Sequence, residues 1–258
     1  QPLDNKIEIE TRQQAIKELS NYNDFRETFR ITGCLNKDHE TGIKDLKAWI
    51  ASPSVFLQKR SNQWICWAVP VINIILFVLG MMNVISMSWF GLAFCSFAIA
   101  SSKLIRKITL IQESYNKTLK MLSTYVRLIE LADKQSMESP LLIALKKEFE
   151  SHGKKAPQIL GILAKELDRL DLRNNLILYA LLEGSMFWQL RQMLRIERWK
   201  EEYGTHLLQW LEALGQLDAL SALGTFAFNH EEYTYPIITD QPFVFHAKDM
   251  GHPFMPRK

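Results

Sequence analysis

The sequence predicts a mainly α-helical protein: an elongated multi-helix bundle with a hydrophobic helical hairpin and a short β-containing C-terminal tail. Three observations support this fold class. The 258 residues include only 11 Gly and 9 Pro, too few for a loop-rich or disordered chain. Apolar residues recur every three or four positions along most of the chain, which is the spacing of one helix face. No Asp, Glu, Lys or Arg occurs between residues 64 and 102.

Residues 1–62 are expected to form short helices. A first helix is indicated by residues at helical spacing, namely Arg12, Ala15, Ile16 and Leu19. A later one is indicated in the same way by Ile43, Leu46, Trp49 and Ile50. Pro53 is expected to stop this later helix, because proline lacks the backbone N–H that a helix interior requires.

Residues 63–102 predict the hydrophobic hairpin. One membrane-spanning helix needs about 20 apolar residues, so the charge-free run is long enough for about two spans. We place the first span at Trp64–Met82 and the second, shorter one at Ser88–Ser102, with a tight turn in the less apolar segment between them. A buried hairpin inside a soluble domain is the alternative, but a water-soluble helix usually shows a polar stripe and this run has none.

The residues that flank the run support insertion into a membrane. Positive charge on both sides places both ends of the hairpin in the cytoplasm. Trp64, Trp67 and Trp89 fall near the expected interfaces, where indole rings are favoured. The basic flanking residues are Lys59 and Arg60 before the run, and Lys103, Arg106 and Lys107 after it.

Residues 103–228 predict a series of long helices. From Leu104 to Ile129 apolar residues alternate in steps of three and four, and this stripe follows the second span directly, so the two are expected to form one rod. Ser139-Pro140 and Ala156-Pro157 have proline at a first helical position and each begins a helix, the first ending near Gly153. A long segment from Asn174 to Ile196 follows. The last helix is indicated by Trp199, Tyr203, Leu207, Trp210 and Leu214, and its pattern extends to Leu220.

Residues 229–258 are expected to differ from the rest. The helical period disappears after Phe228, and the segments Tyr233–Ile238 and Phe243–Ala247 are β-branched and aromatic, which predicts two short strands. We interpret this tail as the start of a further domain in a longer protein.

No catalytic, cofactor-binding or metal-binding residue is predicted in this chain. Sequences typical of a phosphate-binding loop, a dinucleotide fold, a zinc protease or a nucleophile elbow do not occur. The three cysteines, Cys34, Cys66 and Cys95, are interpreted as free thiols. The charged residues from Arg195 to Glu202 are interpreted as an exposed, salt-bridged helix face. The net charge of +3 does not by itself indicate a nucleic-acid binder.

Several short segments resemble the DNA mismatch repair protein MutS family. Leu217–Gly224 (LDALSALG), with Asp218 and Ser221, is similar to the "lDvlaSla" segment that ends the helical core of that family. Pro236, in Tyr235-Pro236, resembles the start of the strand that follows. Gly251-His252-Pro253 resembles the family's "RHP" element, with Gly in place of Arg. The opening residues Pro2, Leu3, Arg12, Ala15 and Leu19 are similar to the beginning of the same core.

The resemblance implies a function for the whole protein. The chain would supply the non-catalytic core and lever helices of a MutS-like ATPase, and ATP and Mg²⁺ would bind to a domain beyond Lys258. That domain would form a homodimer, and the helices would couple its movement to DNA or to a membrane. The hairpin is similar to that of a bacterial MutS-like subgroup with predicted membrane spans, which implies the inner membrane with cytoplasmic helices.

Two other classes of function remain open at this stage. A membrane-anchored helical scaffold for protein–protein interaction would use the same hairpin without any nucleotide. A soluble enzyme with an unrecognised site would leave the hairpin buried and the protein cytoplasmic.

Overall fold

The computed structural model describes residues 5–34, 39–151, 153–170, 176–239 and 244–248, and within these ranges it omits the side chains of residues 39–42, 102–121 and 176–178. The described residues are mainly α-helical, which confirms the predicted fold class. The first three helices are α1 (Lys6–Ser20), α2 (Asn23–Cys34) and α3 (His39–Ala51). The Asn5 side chain accepts a hydrogen bond from the Ile7 amide and so begins α1.

The hydrophobic run forms a hairpin of two helices that pack against each other, as predicted. Helix α4 is Arg60–Met81 and helix α5 is Met87–Lys134, and the turn between them includes Asn83 at φ 55°. The Ser86 hydroxyl accepts from the Ser88 amide and begins α5. Helix α5 has 48 residues, so it is about 70 Å long. The prediction that the second span and the following stripe form one rod is confirmed.

A small β-hairpin separates the next two helices. Helix α6 is Pro140–Glu148, strands β1 and β2 are Glu150–Ser151 and Lys154–Lys155, and helix α7 is Ala156–Asp168. The starts of α6 and α7 are as predicted. The predicted end of α6 near Gly153 is wrong, because the chain turns back there instead, with Gly153 at φ 71° and Glu150 paired with Lys155.

The last two helices divide differently from the prediction. Helix α8 is Leu176–Met186 and helix α9 is Trp188–Asn229, a single helix of 42 residues. The break lies at Phe187, which adopts a left-handed backbone with φ 51° and ψ 55°. The final helix therefore begins eleven residues earlier than Trp199, where its pattern was recognised.

The long helices α5 and α9 organise the body of the molecule. Helix α1 packs along α9, α7 packs against both long helices, and α2 and α3 contact both as well. The most deeply buried side chains lie in this body; examples are Leu19, Ile129, Leu142, Ile159 and Trp210. The hairpin contributes only Cys66 and Val69 to the fully buried apolar core. The molecule thus has a conventional helical core at one end and an apolar hairpin that projects from it.

The predicted strands of the tail are not present in the described residues. Residues 233–239 and 244–247 have no strand pairing, and the only sheet among the described residues is that of β1 and β2. Pro236 lacks an amide hydrogen to donate, and its carbonyl oxygen accepts from the Gln13 side chain at 2.9 Å. Residues 233–239 therefore form an irregular segment that contacts α1 through Pro236, and we call this segment the strap.

Candidate functional site: the base of the apolar hairpin

The outer surface of the hairpin is apolar and exposed. Trp64 is 72% exposed and Trp67 is 75% exposed, and most large apolar side chains of α4 are also exposed. Helix α4 is long and apolar enough to cross a membrane, and only 17% of its most apolar window is buried. The apolar part of α5, Met87–Ser101, is shorter. Isolated apolar residues are normal at a protein surface, but a continuous apolar patch of this size marks an interaction surface.

One narrow stripe of α4 faces the body of the protein. Its members are spaced three or four residues apart and are the buried residues Asn62, Cys66, Val69 and Asn73. Two of the four are asparagines. The inner face of α4 therefore includes polar contacts with the body, whereas the exposed side chains of α4 from Trp64 to Met81 are all apolar.

The first of these contacts compensates for a proline. Pro70 lies inside α4, has no N–H, and so leaves the carbonyl group of Cys66 without its helical donor. Arg191, on α9, donates a hydrogen bond from its guanidinium group to this Cys66 oxygen at 2.6 Å. A proline inside an apolar helix is tolerated where a neighbour satisfies the freed carbonyl in this way.

The second contact lies farther along the hairpin. The Asn73 amide donates to the carbonyl oxygens of Gly184 and Ser185, at 3.1 and 3.2 Å. These oxygens belong to the last turn of α8, where carbonyl groups have no partner within the helix. At the same level the Gly184 backbone meets Phe94, because a Cβ atom at position 184 would lie 2.5 Å from that ring. Helix α8 is thus fixed against both helices of the hairpin.

The third contact fixes the loop that leads into α4. The Glu197 carboxylate on α9 is buried and accepts from three consecutive backbone amides. Its Oε1 accepts from Val55 at 2.8 Å and from Phe56 at 3.2 Å, and its Oε2 accepts from Phe56 at 3.0 Å and from Leu57 at 2.6 Å. A carboxylate bound by several backbone N–H groups makes strong, charge-assisted hydrogen bonds. This one ties the loop before α4 to helix α9.

Lys200 supports the same loop one turn further along α9. Its ammonium group donates to the carbonyl oxygen of Ser52 at 2.8 Å and lies 5.9 Å from the centre of the Trp49 ring. Burial lowers the pKa of Lys200 below its usual 10.5, and the negative charges of Glu197 and Glu201 oppose this shift. The prediction of an exposed, salt-bridged face is therefore wrong for Glu197 and Lys200, which are both buried.

A buried carboxylate forms the elbow between α8 and α9. Glu183 is 3% exposed and accepts from the backbone amide of Gln189 at 2.8 Å, near the start of α9. Phe187 cannot cap that helix with its own side chain, so the Glu183 carboxylate supplies the acceptor. The Phe187 ring contacts Phe97 of α5 edge-on, with ring centres 6.3 Å apart. Together, the contacts of Asn73, Glu183, Arg191, Glu197 and Lys200 form what we term the polar clamp.

The predicted basic flanks lie at the expected ends of the hairpin. Lys59 precedes α4 and Arg60 is its first residue, and both are exposed. Lys103, Arg106 and Lys107 lie in α5 beyond its apolar part, and their side chains are outside the described part of the structure. The sequence did not identify the clamp residues, because the partners of Glu197 and Arg191 are backbone atoms more than a hundred positions away.

The described residues that carry the family resemblance lie on α1, on α9 and in the strap. Asp218 is exposed and Ser221 is buried on α9, and Pro236 lies in the strap against α1. His252 and Pro253 lie outside the described residues. Gly224, at the end of the resembling segment of α9, lies against α1, since a Cβ there would be 3.1 Å from the Cβ of Leu19.

Comparison with known proteins finds no matching family, no matching curated protein and no matching solved structure. In the part of the chain that the structure describes, no group of three His, Cys, Asp or Glu residues is placed to hold a metal ion. The described residues thus form a mainly α-helical protein with an exposed apolar hairpin that the polar clamp holds against the helical body.

Proposed function

We propose that this chain is a membrane-anchored helical module. Helix α4 and the apolar beginning of α5 enter the bilayer together as a hairpin, and the helical body remains at the surface where both ends of the hairpin emerge. The observation that carries the proposal is the exposure of the hairpin. An apolar helix in the core of a soluble protein is mostly buried, whereas the apolar window of α4 is 17% buried.

The dimensions of the hairpin support insertion. The 22 residues of α4 extend about 33 Å, close to the hydrocarbon thickness of about 30 Å. The apolar part of α5 is shorter, about 22 Å, and the next charged residue along the chain is Lys103. The exposed indoles of Trp64 and Trp89 lie near opposite ends of the hairpin, where the two interfaces would be.

The proposed role is mechanical and non-catalytic. Helix α5 continues from the apolar hairpin into the helical body without a break, and the polar clamp joins the same hairpin to α9. A packed helical rod transmits a rigid-body shift from one end to the other. The module would therefore couple the position of the body, and of any protein bound to it, to the membrane.

The test is binding to lipid vesicles, measured by flotation. We expect the wild-type chain to float with vesicles, and the double variant Ile74→Glu, Leu92→Glu to lose most of that binding, because a charged residue at the centre of a bilayer helix costs about 2.5–3.5 kcal/mol. Both positions are exposed, so the change leaves the core intact. Ile162→Glu, at an exposed apolar position of α7, is the matched control and should float normally. Failure of the wild-type chain to float would contradict the proposal.

A second proposal follows from the resemblance to the MutS family. In the intact protein the chain would be the core and lever of a bacterial inner-membrane ATPase that binds ATP and Mg²⁺ beyond Lys258, forms a homodimer and acts on DNA. One contact supports it: the resembling segments near Leu19 and Gly224, far apart in sequence, lie directly against each other. The intact protein should hydrolyse ATP with Mg²⁺ and the isolated chain should not. An intact protein without nucleotide binding would leave the membrane-anchored scaffold.

A further inference from the structure

Helix α8 is attached to the side of the hairpin, well beyond its base. Asn73, which bonds the end of α8, lies thirteen residues after Arg60, about 20 Å along the axis of α4. Gly184 meets Phe94 of α5 at the same level. A bilayer that surrounds the hairpin as far as Trp64 therefore also reaches the end of α8.

The surface of α8 is suited to lipid. Its sequence, Leu176–Met186, contains a single acidic or basic residue, Glu183, and that carboxylate is buried against the start of α9. On the outer side Ala180 is exposed and Leu181 is 56% exposed. Helix α8 packs against both α4 and α5, so this apolar surface lies beside the hairpin.

At the end of α8, two backbone carbonyl groups have partners of the kind that entry into a bilayer requires. Inside the hydrocarbon region every backbone polar group needs a partner within the protein. The carbonyl groups of Gly184 and Ser185, at the end of the helix, receive theirs from the Asn73 amide. An asparagine in the middle of an apolar span is costly by itself, and here its amide nitrogen binds the end of α8.

We propose that α8 is a third membrane-embedded element, a short helix that lies in the acyl-chain region beside the hairpin and ends at the Phe187 elbow, from which α9 leads back toward the base of the hairpin. Its eleven residues extend about 16 Å, roughly half the hydrocarbon thickness. The occupant of its outer face is lipid acyl chain. This inference rests on the proposed membrane anchoring and adds a specific element to it.

The experiment measures the depth of single labelled cysteines in vesicles that contain brominated acyl chains. Cys95 is native and exposed on α5, so the Cys34→Ser protein labelled at Cys95 reports on the hairpin. With Cys34 and Cys95 replaced by serine, Leu181→Cys and Ala180→Cys report on α8. Ile162→Cys, on the exposed surface of α7, reports on the body. Cys66 is buried and is retained, and the protein with only this cysteine gives the labelling background.

We expect the probes at positions 180 and 181 to be quenched to within about twofold of the Cys95 probe, and several-fold more than the Ile162 probe, because bromine atoms are confined to the hydrocarbon layer of about 30 Å. Two probes on α8 are used because one substitution could disturb folding. Quenching at Cys95 but not at either α8 position would overturn this inference and leave the anchoring intact. No quenching at any position would overturn both. Equal quenching at Ile162 would also overturn the inference, since α8 would then not differ from the body.

Discussion

Removal of the Glu197 carboxylate should loosen the approach to the hairpin. In Glu197→Ala the amides of Val55, Phe56 and Leu57 all lose their acceptor. Water can reach the first and third, which are not fully buried, but Phe56 is 4% exposed and its amide would stay without a partner. The clamp is therefore expected to lose both hydrogen-bond energy and the fixed shape of its loop.

The magnitude follows from the number of bonds that water cannot replace. A hydrogen bond to a charged group contributes about 1.5–3 kcal/mol, and a buried unpaired donor costs about 1–3 kcal/mol. One fully buried amide and two that rehydrate give a loss of about 3 kcal/mol in the free energy of unfolding. For a chain of this size that corresponds to a decrease of about 6–12 °C in melting temperature.

Two assays in detergent micelles or vesicles measure this change. Thermal unfolding gives the stability, and limited trypsin digestion reports on the loop, because Lys59 and Arg60 are exposed just after it. We expect faster cleavage there in Glu197→Ala and an intermediate effect in Glu197→Gln, which keeps one acceptor oxygen. Glu212→Ala, at an exposed position of α9, is the matched control. A melting temperature for Glu197→Ala equal to that of Glu212→Ala would refute the reasoning.

Four further predictions follow. Arg191→Met leaves the Cys66 carbonyl group without a donor and should lower the free energy of unfolding, measured by urea titration, by about 1–3 kcal/mol. Arg191→Lys should cause a smaller loss, and equal stability of the wild-type protein and both variants would contradict the role of Arg191. Gln192→Leu should raise the free energy of unfolding by about 1–3 kcal/mol, because Gln192 is 0% exposed and both its amide atoms lack a partner in the described structure. The control Gln209→Leu, at an exposed position, should change the stability little, and a Gln192→Leu protein less stable than the wild type would show that the amide is needed. Because the pKa of Lys200 is lowered in the folded protein, the unfolded chain binds more protons than the folded one at pH values between the folded pKa and 10.5. The free energy of unfolding of the wild-type protein should therefore rise with pH in that interval relative to that of Lys200→Met, and parallel pH profiles of the two proteins would contradict this prediction. The double variant Lys59→Gln, Arg60→Gln should bind anionic vesicles with roughly thirtyfold lower affinity in the flotation assay, at about 1 kcal/mol per charge. The control Lys165→Gln should bind normally, and binding of the wild-type protein that does not depend on salt would contradict this electrostatic contribution.

The sequence predicted the long helices better than the positions at which one element ends and the next begins. The hairpin and the rod of α5 were predictable because both rest on the type and spacing of many residues, and no single position decides the outcome. The division at Phe187 was not, because apolar residues continue on both sides and phenylalanine gives no sign of a left-handed backbone. The strands β1 and β2 have two residues each, too few for an alternating pattern.

The polar clamp was missed for a different reason. Glu197 and Lys200 are three positions apart with opposite charges, a spacing that usually indicates a solvated pair. Their actual partners are backbone groups of the loop before α4, and sequence composition carries no record of such partners. A signal was nevertheless present at Pro70, because a proline inside a predicted apolar helix implies that a donor from elsewhere must satisfy the carbonyl four residues earlier.

In a membrane-anchored chain, the unbroken backbone of α5 would transmit a change in bilayer thickness to the helical body. Thirty-three residues of this helix, from Ser102 to Lys134, extend about 48 Å past its apolar part. With the hairpin anchored as proposed, a change of about 10° in its tilt displaces the far end by about 8 Å, and membrane-spanning helices adjust their tilt when lipid thickness changes. A rod of that length would turn a difference of a few ångströms in the thickness of the acyl-chain layer into a larger displacement at its far end.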